Sequence, residues 1–365
     1  MEELDSAFVQ DIEHRPNLKS TEPVDDGIPT IDLSALTLAD TQKLASEIGL
    51  ACQEWGFFQI INHGVPLELQ RKVEKVAREF FELPSEEKRK VKRSEENRLG
   101  FYDSEHTTNV RDWKQLFDFL VEDRTVIPAS PEPDDKELMT ITNQWPLYPP
   151  ELSLMFVLAL DLALKTIAFL PREVFQEYAK EMKKLTFKLL ELITLSLGLP
   201  ENRLSGYFNG QTSFVRINYY PPCPFPHLAL GATRHKDTGV LTILAQDEVG
   251  GLQAKRKSDG EWIPVKPTPN AYVVNVGDVL QVWSNEKYQS VEHRVVVNTV
   301  KERMSIPFFF QPGPHVMVKP VEELLNGENR PKYKEYNWGK FFVTRSRSDF
   351  KKCEVENIQI QHFRL

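Results

Sequence analysis

The sequence predicts an α+β protein in which a helix-rich N-terminal region is followed by an antiparallel β-barrel or sandwich. Two segments carry apolar residues at helical spacing, and between residues 212 and 312 short β-branched or aromatic runs alternate with turn signals. Evenly spaced short strands of this kind are typical of antiparallel barrels and sandwiches. At 365 residues, the chain has the size of one large barrel domain with an N-terminal extension.

The N-terminal region is predicted to contain two strands and two helices. Residues 1–27 are polar and aperiodic, so the first ordered element is expected at Ile28–Leu33. Ala39–Trp55 is predicted to be an amphipathic helix, Phe57–Ile61 a strand, and the segment from Pro66 to Phe81 a second helix.

The middle of the chain is predicted to form a loop-rich connection and then a bracing helix. Six prolines between residues 126 and 150 interrupt any long element. Tyr178–Leu197 has an apolar face, and Gly198 is expected to end that helix. The predicted regions are a flexible N-terminus (1–27), a helix-rich N-terminal region (28–150), bracing helices (151–210), a β-rich core (211–320) and a C-terminal helical segment (321–365).

Leu152–Leu170 is strongly apolar and is interpreted as a buried or surface-docked helix. It contains Asp161 and Lys165, whose charges are costly in lipid, and it is shorter than the roughly 20 residues that a bilayer span requires. A membrane role is therefore not expected.

Composition favours small-molecule chemistry in a reducing compartment. The formal net charge of -8 argues against nucleic-acid binding, which needs a clustered positive face. Cys52, Cys223 and Cys353 are widely separated and odd in number, which fits neither a disulfide framework nor a zinc cluster. No signal peptide is evident in the acidic first residues, so a cytoplasmic location is expected, with the nucleus as the alternative.

Three residues are predicted to bind one metal ion. His235 and Asp237 are two positions apart in extended chain, so their side chains project to the same face. His293 stands at the head of a second β-branched run that a barrel would bring opposite them. Two imidazoles and one carboxylate form the facial triad that leaves coordination positions open on iron(II). A lone histidine is more often a packed or surface residue, so the prediction depends on the joint order of the three.

A second pair of residues is predicted to bind a carboxylate. Arg303 and Ser305 also share one face of a strand, ten residues beyond His293. A guanidinium presents a two-pronged donor to a carboxylate, and the hydroxyl adds a third hydrogen bond.

With these motifs, the chain resembles the plant 2-oxoglutarate- and iron(II)-dependent dioxygenases, the family of flavonol synthase, anthocyanidin synthase and the gibberellin oxidases. The resemblance covers nearly the whole chain. It also includes Ile28-Pro-Thr-Ile-Asp-Leu33, Trp55-Gly-Phe-Phe-Gln-Ile-Ile-Asn-His-Gly64 and Arg216-Ile-Asn-Tyr-Tyr-Pro-Pro-Cys-Pro224.

The resemblance implies a fold, a reaction and a set of cofactors. The fold is a double-stranded β-helix, or jelly roll, flanked by helices, with Fe(II) and 2-oxoglutarate inside the barrel and ascorbate as a stimulant. The implied enzyme releases succinate and CO2 and, through a ferryl species, hydroxylates or desaturates a small plant metabolite such as a flavonoid, a hormone or a related specialised metabolite. Dioxygen and this small molecule are the expected partners of a monomer.

The resemblance also assigns roles to individual residues. Asn218 and Tyr220 are expected beside the co-substrate, whose distal carboxylate Arg303 and Ser305 would hold. The expected substrate wall comprises Phe309, Arg216 and the segment Trp113–Phe119, with Phe119 chosen from that segment. His63 is expected to be structural, and residues 153–171 appear as an apolar insertion relative to the family.

Two alternatives to this function remain open at the level of sequence. One is an ascorbate-dependent oxidase of the aminocyclopropane carboxylate oxidase type, which keeps the iron triad without using 2-oxoglutarate. The other is a non-catalytic jelly-roll protein with a structural metal, in which Arg303 and Ser305 would have no role.

Overall fold

The computed structural model describes residues 4–16, 27–35, 40–146, 171–346, 350 and 357–365. The helices within these ranges are α1 (Thr41–Glu54), α2 (Leu67–Glu82), α3 (Ser85–Arg89), α4 (Pro171–Ser196), α5 (Asp278–Trp283) and α6 (Trp338–Ser346). None of the helices in these ranges has the length and apolar character needed to cross a bilayer.

The strands in the first half of the chain are β1 (Thr30–Asp32), β2 (Phe57–Ile61), β3 (Gly100–Tyr102), β4 (His106–Thr107), β5 (Val110–Arg111), β6 (Gln115–Leu120), β7 (Arg124–Pro128) and β8 (Leu138–Thr142). Those in the second half are β9 (Phe214–Tyr220), β10 (Leu230–His235), β11 (Leu241–Gln246), β12 (Leu252–Lys255), β13 (Trp262–Pro264), β14 (Tyr272–Val276), β15 (His293–Val296), β16 (Arg303–Phe310), β17 (Met317–Val318) and β18 (Tyr336–Asn337).

Two sheets form the core of the molecule. The main sheet has eight strands in the order β1-β2-β14-β11-β16-β9-β6-β3, and the minor sheet has four in the order β10-β15-β12-β13. Except for the parallel β1–β2 pair, the pairings within both sheets are antiparallel. Side chains of both sheets line one internal cavity, so the two sheets face each other as the jelly roll requires.

The predicted helices are confirmed, and each buries its apolar face. α4 packs on β11 and β16 of the main sheet, and α1 and α2 pack chiefly on α4. α1 buries Leu44, Ile48 and Cys52, and α4 continues to Ser196 before Gly198 adopts a positive φ of 83°. Gly56, which follows α1, has a φ of 67°, and a Cβ there would lie 2.6 Å from the carbonyl oxygen of Gln289. Glycine therefore allows the close passage of the chain at this point.

Several expectations about regions are wrong. Residues 4–16, expected to be flexible, pack onto the barrel, where Gln10 is 1% exposed. The region 28–150 is helix-rich only in its first half, because β3 to β8 follow, and the proline-rich stretch contains the β7–β8 hairpin. The C-terminal region is only partly helical, with α6 as its single α-helix among the described residues.

Two further predictions concern residues outside the described ranges. The apolar stretch Leu152–Leu170 lies there, and only the final residue of the expected insertion, Pro171, is described, at the start of α4. Cys353 also lies outside, whereas Cys52 and Cys223 are buried free thiols.

Candidate active site

Three side chains converge where the two sheets meet. His235 ends β10, His293 begins β15, and Asp237 lies in the connection that leads to β11. The Nε2 atoms of His235 and His293 lie 3.7 Å and 3.6 Å from Oδ1 of Asp237. Two atoms that each lie about 2.1 Å from one ion are separated by roughly 3–4 Å, so the spacing fits a shared metal. Among the described residues, these form the only group of three side chains with metal-ligand spacing.

Both imidazoles are oriented by a backbone carbonyl. Nδ1 of His235 lies 2.7 Å from the carbonyl oxygen of Thr233, and Nδ1 of His293 lies 3.2 Å from that of Val291. A proton on each Nδ1 leaves each Nε2 lone pair free for a metal. Burial, followed by the neighbouring His293, lowers the pKa of His235, which favours the neutral ring that a metal needs.

Asp237 is held as a carboxylate. Burial alone would raise its pKa, but His293 and His235 lower it, as do hydrogen bonds from Thr242 and Asn275. These two donors lie 2.6 Å and 2.8 Å from Oδ2. The sequence analysis missed both residues, although each is an isolated polar residue in an apolar strand.

The two predicted carboxylate-binding residues point into the barrel beside this centre. Arg303 is 3% exposed, and its Nη2 atom donates a hydrogen bond of 3.2 Å to Gln246. Its Nε and Nη1 atoms are buried without a partner. Since a buried donor without a partner is costly, these two nitrogens and the nearby Ser305 fit an anionic ligand of the kind 2-oxoglutarate supplies.

Asn218 and Tyr220 line the same internal space. Both point inward from β9, and the guanidinium of Arg303 lies 4.9 Å from the ring centre of Tyr220. Oδ1 of Asn218 is also buried without a partner. The space has a volume of about 70 Å³ and is bordered by all three members of the metal-binding group.

This space leads to a larger mouth of about 370 Å³. Arg216 and Phe309, which the sequence analysis assigned to the substrate wall, line both the inner space and the mouth. Phe309 packs against Phe214 with a ring-centre distance of 4.7 Å, and the guanidinium of Arg216 lies 5.9 Å from each ring. Another cavity, of about 340 Å³, lies on the outer side of the main sheet beside α2, away from the metal-binding group.

The expectation that Phe119 lines the substrate pocket is wrong. Val215 is its partner on β9, whereas the adjacent pair Asp118 and Arg216 faces the interior. Phe119 instead points toward α4 and packs 5.2 Å from the ring of Phe175. Within the segment Trp113–Phe119, only Lys114 lines the two connected cavities.

A buried network of charges fixes the mouth. Arg216 donates to both carboxylate oxygens of Asp118 and also binds Glu105. Lys114 forms ion pairs of 2.6 Å with Glu105 and 2.9 Å with Asp112. The network holds Arg216 in one orientation before any substrate arrives. Apart from Arg216 and the segment containing Lys114 and Asp118, sequence reasoning missed it, because its members come from separate short strands.

His63 has the structural role that was expected. Its Nε2 atom lies 3.1 Å from the carbonyl oxygen of Asn270, and its Nδ1 atom accepts from the backbone of Val65. It therefore joins the turn after β2 to the loop before β14.

These features define a jelly-roll protein with an internal His-Asp-His centre beside a buried arginine that has two nitrogens without a hydrogen-bond partner, the class of non-haem iron oxygenases. Residues 211–312 match the model of the 2OG-Fe(II) oxygenase superfamily. Residues 28–148 match that of the non-haem dioxygenase in morphine synthesis N-terminal region.

Curated relatives and solved structures agree with this class. The chain is 37% identical to Protein DMR6-LIKE OXYGENASE 1 of Arabidopsis thaliana, with 89% of this chain and 84% of the relative covered. It is 35% identical to Jasmonate-induced oxygenase 2 of the same plant, covering 90% and 82%. A crystal structure of JOX2 in complex with 2OG, Fe and JA has 31% identity and a TM-score of 0.73, covering 94% of this chain and 89% of that one. The dioxygenase for auxin oxidation 1 from Arabidopsis thaliana, solved with 2-oxoglutarate, has 28% identity and a TM-score of 0.62, covering 83% and 99%.

The chain belongs to the 2OG-Fe(II) oxygenase superfamily. It is an enzyme that uses Fe(II), 2-oxoglutarate and dioxygen to oxidise a small molecule. The relatives named as oxygenases and the 2-oxoglutarate bound in the solved neighbours favour this function over an ascorbate-dependent oxidase or a non-catalytic metal-binding protein.

Proposed function

We propose that His235, Asp237 and His293 hold the iron and that Arg303 and Ser305 hold the distal carboxylate of 2-oxoglutarate. The observation that carries the proposal is that Nε and Nη1 of Arg303 are buried without a hydrogen-bond partner in the same space as the His-Asp-His group. When bound, iron supplies the oxidative chemistry that couples decarboxylation of 2-oxoglutarate to oxidation of the organic substrate.

The residues of the chain contribute orientation and shielding. Neutral imidazoles and the anionic Asp237 bind the metal, and Asn218 and Tyr220 border the co-substrate. Arg303 presents a fixed fork, so one end of 2-oxoglutarate is held while the other reaches the metal. The buried walls keep bulk water away from the reacting atoms.

The substrate is proposed to be a cyclic or aromatic plant metabolite, such as a flavonoid, a hormone or a related specialised metabolite, which is hydroxylated or desaturated. Phe309 and Phe214 offer an aromatic wall at the mouth, and Arg216 is a fixed cation beside them. Relatives include proteins named feruloyl CoA ortho-hydroxylase, and JOX2 was solved with JA, so both phenylpropanoid and hormone substrates fit the proposal. We further propose a cytoplasmic monomer, with ascorbate as a stimulant.

The test of the ligand assignment compares two histidine variants. His235→Ala should lose metal binding and succinate formation, whereas His63→Ala, a matched histidine outside the site, should keep both. Retention of stoichiometric metal and full turnover in His235→Ala would refute the assignment.

The substrate is then sought by measuring succinate release from 2-oxoglutarate across phenylpropanoids, flavonoids and hormones. Turnover that none of them stimulates would contradict the proposed substrate classes.

A further inference from the structure

The N-terminal segment 4–16 crosses the minor sheet close to both histidines. Gln10 is buried, and its backbone N–H donates a hydrogen bond of 2.9 Å to the carbonyl oxygen of Leu228. The side chain of Arg15 donates back to the carbonyl oxygen of Gln10 at 3.1 Å. We call residues 4–16 the N-terminal strap.

The strap meets β10 where that strand is least well held by its own sheet. β10 is an edge strand, and its register with β15 shifts between Leu230 and Ala232 and again between Ala232 and His235. Residues at such irregularities lack the regular ladder of hydrogen bonds. Thr233 lies within the second shift, directly before the metal-binding group.

Hydrogen bonds to side chains replace the missing backbone hydrogen bonds around Thr233. Its backbone N–H donates to Oδ1 of Asp112 at 2.8 Å, and its hydroxyl accepts from Nε2 of Gln10 at 2.9 Å. The carbonyl oxygen of the same residue orients the His235 ring at 2.7 Å. Gln10 therefore holds the side chain of Thr233 and Asp112 holds its backbone N–H, and the carbonyl of this residue orients the histidine.

The other end of the strap reaches the strand of the second histidine. Nη1 of Arg294 donates to the carbonyl oxygen of His14 at 3.2 Å, and Arg294 directly follows His293. The guanidinium is further held by Gln253, which accepts from Nε at 2.8 Å. One short segment thus joins β10 and β15 within two residues of each proposed ligand.

We infer that the N-terminal strap sets the metal affinity of the enzyme by positioning His235 and His293, with Gln10 as its principal positioning residue. The inference rests on the proposed ligand assignment. A segment that contributed only folding stability would lower the melting temperature without changing how tightly the folded protein holds a metal. Partners that orient a ligating histidine typically contribute about 10-fold or more to metal affinity.

The test measures Mn2+ affinity by calorimetry on the full-length apoprotein, with Mn2+ in place of oxidisable Fe(II). Gln10→Leu removes the hydrogen bond to Thr233 and keeps most of the side-chain volume. Phe8→Ala is the matched control, because Phe8 belongs to the strap but packs on Trp113, with ring centres 5.0 Å apart, and does not bond to Thr233. Melting temperatures of the apoproteins are recorded for every variant.

Gln10→Leu should bind Mn2+ about 10-fold more weakly than the wild type, while Phe8→Ala should stay within about twofold. An unchanged affinity in Gln10→Leu, or an equal loss in both variants, would overturn the inference. If Gln10→Leu does not fold, Thr233→Val tests the same hydrogen bond from the other side. His235→Ala separates the two proposals: a wild-type protein that binds Mn2+ no better than His235→Ala contradicts the ligand assignment itself.

Discussion

Hydrogen bonds fix the orientation of the Asp237 carboxylate independently of a metal ion. Its Oδ2 atom accepts from Thr242 and Asn275, so Oδ1 is the oxygen that faces the two histidines. The histidines are restrained in the same way through Nδ1. Because the outer atoms are already engaged, little side-chain freedom remains to be lost when the ion binds.

Arg303→Lys should weaken the binding of 2-oxoglutarate while leaving metal affinity unchanged. The substitution keeps the charge but loses the planar fork, and with it one strong hydrogen bond of about 1.5–3 kcal/mol, so the apparent KM for 2-oxoglutarate should rise at least 10-fold. The measurement is succinate formation at varied 2-oxoglutarate, together with Mn2+ calorimetry. Arg124→Lys, at an exposed arginine of β7, is the control that should leave this KM unchanged. An unchanged KM in Arg303→Lys would exclude the proposed clamp.

At the scale of strands and helices, the i, i+2 motifs could be predicted from the sequence, whereas the pairings between distant strands could not. Arg303 and Ser305 share a face of β16 because of local strand geometry, which can be recognised in the sequence. Asp237 lies just beyond the end of β10, yet its side chain enters the same space as that of His235. The role of Phe119 depended on which residue of β6 lies opposite Arg216, and an offset of one residue places a side chain on the other face. The strap was missed because its contacts with β10 have no local period in the sequence.

Phe119→Ala should mainly lower stability, whereas Phe309→Ala should mainly raise the KM for the organic substrate. Phe119 is fully buried between β6 and α4, so its truncation should lower the free energy of unfolding by about 3–5 kcal/mol without changing the KM for the organic substrate. Phe309 lines the mouth, so its truncation should raise that KM and affect stability less. Urea unfolding and steady-state kinetics of both variants provide the check. An altered KM in folded Phe119→Ala would restore the sequence-based assignment.

The first turn of α5 contains a buried acid whose ionisation should destabilise the fold. Burial raises the pKa of Asp278 to about 6, against the opposing charges of Lys236 and Arg345. The folded state therefore retains a proton that the unfolded chain has already lost above its ordinary pKa of 3.8. The contribution of Asp278 to the free energy of unfolding should fall as pH rises from about 4 to about 6 and stay level above that.

Asp278→Asn removes this dependence. Its free energy of unfolding, relative to the wild type, should rise by up to about 3 kcal/mol between pH 4 and pH 7, since one pKa unit corresponds to about 1.4 kcal/mol. Urea unfolding at a series of pH values gives the difference. Asp134→Asn, at an exposed acid, should show no such trend. A pH-independent difference for Asp278→Asn would mean that the buried carboxyl ionises normally.

At the scale of the whole molecule, the proposed metal site joins the two sheets. Both histidines belong to strands of the minor sheet, whereas Asp237 leads into β11 of the main sheet. Arg303 and Ser305 lie on β16, which pairs with β11 in the main sheet. Bound 2-oxoglutarate would therefore connect the metal to a second strand of the main sheet. Binding of the two ligands should therefore be coupled and should stabilise the jelly roll as a unit.

Thermal unfolding with Mn2+ and 2-oxoglutarate, added separately and together, tests this coupling. A ligand at 100 times its Kd stabilises the folded state by about 2.7 kcal/mol, so Mn2+ alone should raise the melting temperature. 2-Oxoglutarate without metal has only the Arg303 and Ser305 end to hold it, and its effect should be small. Added after Mn2+, it should give a further shift larger than its effect alone, and chelation of the metal should abolish both shifts. Equal shifts with and without Mn2+ would show that the co-substrate does not reach the ion, because linkage requires each ligand to strengthen the binding of the other.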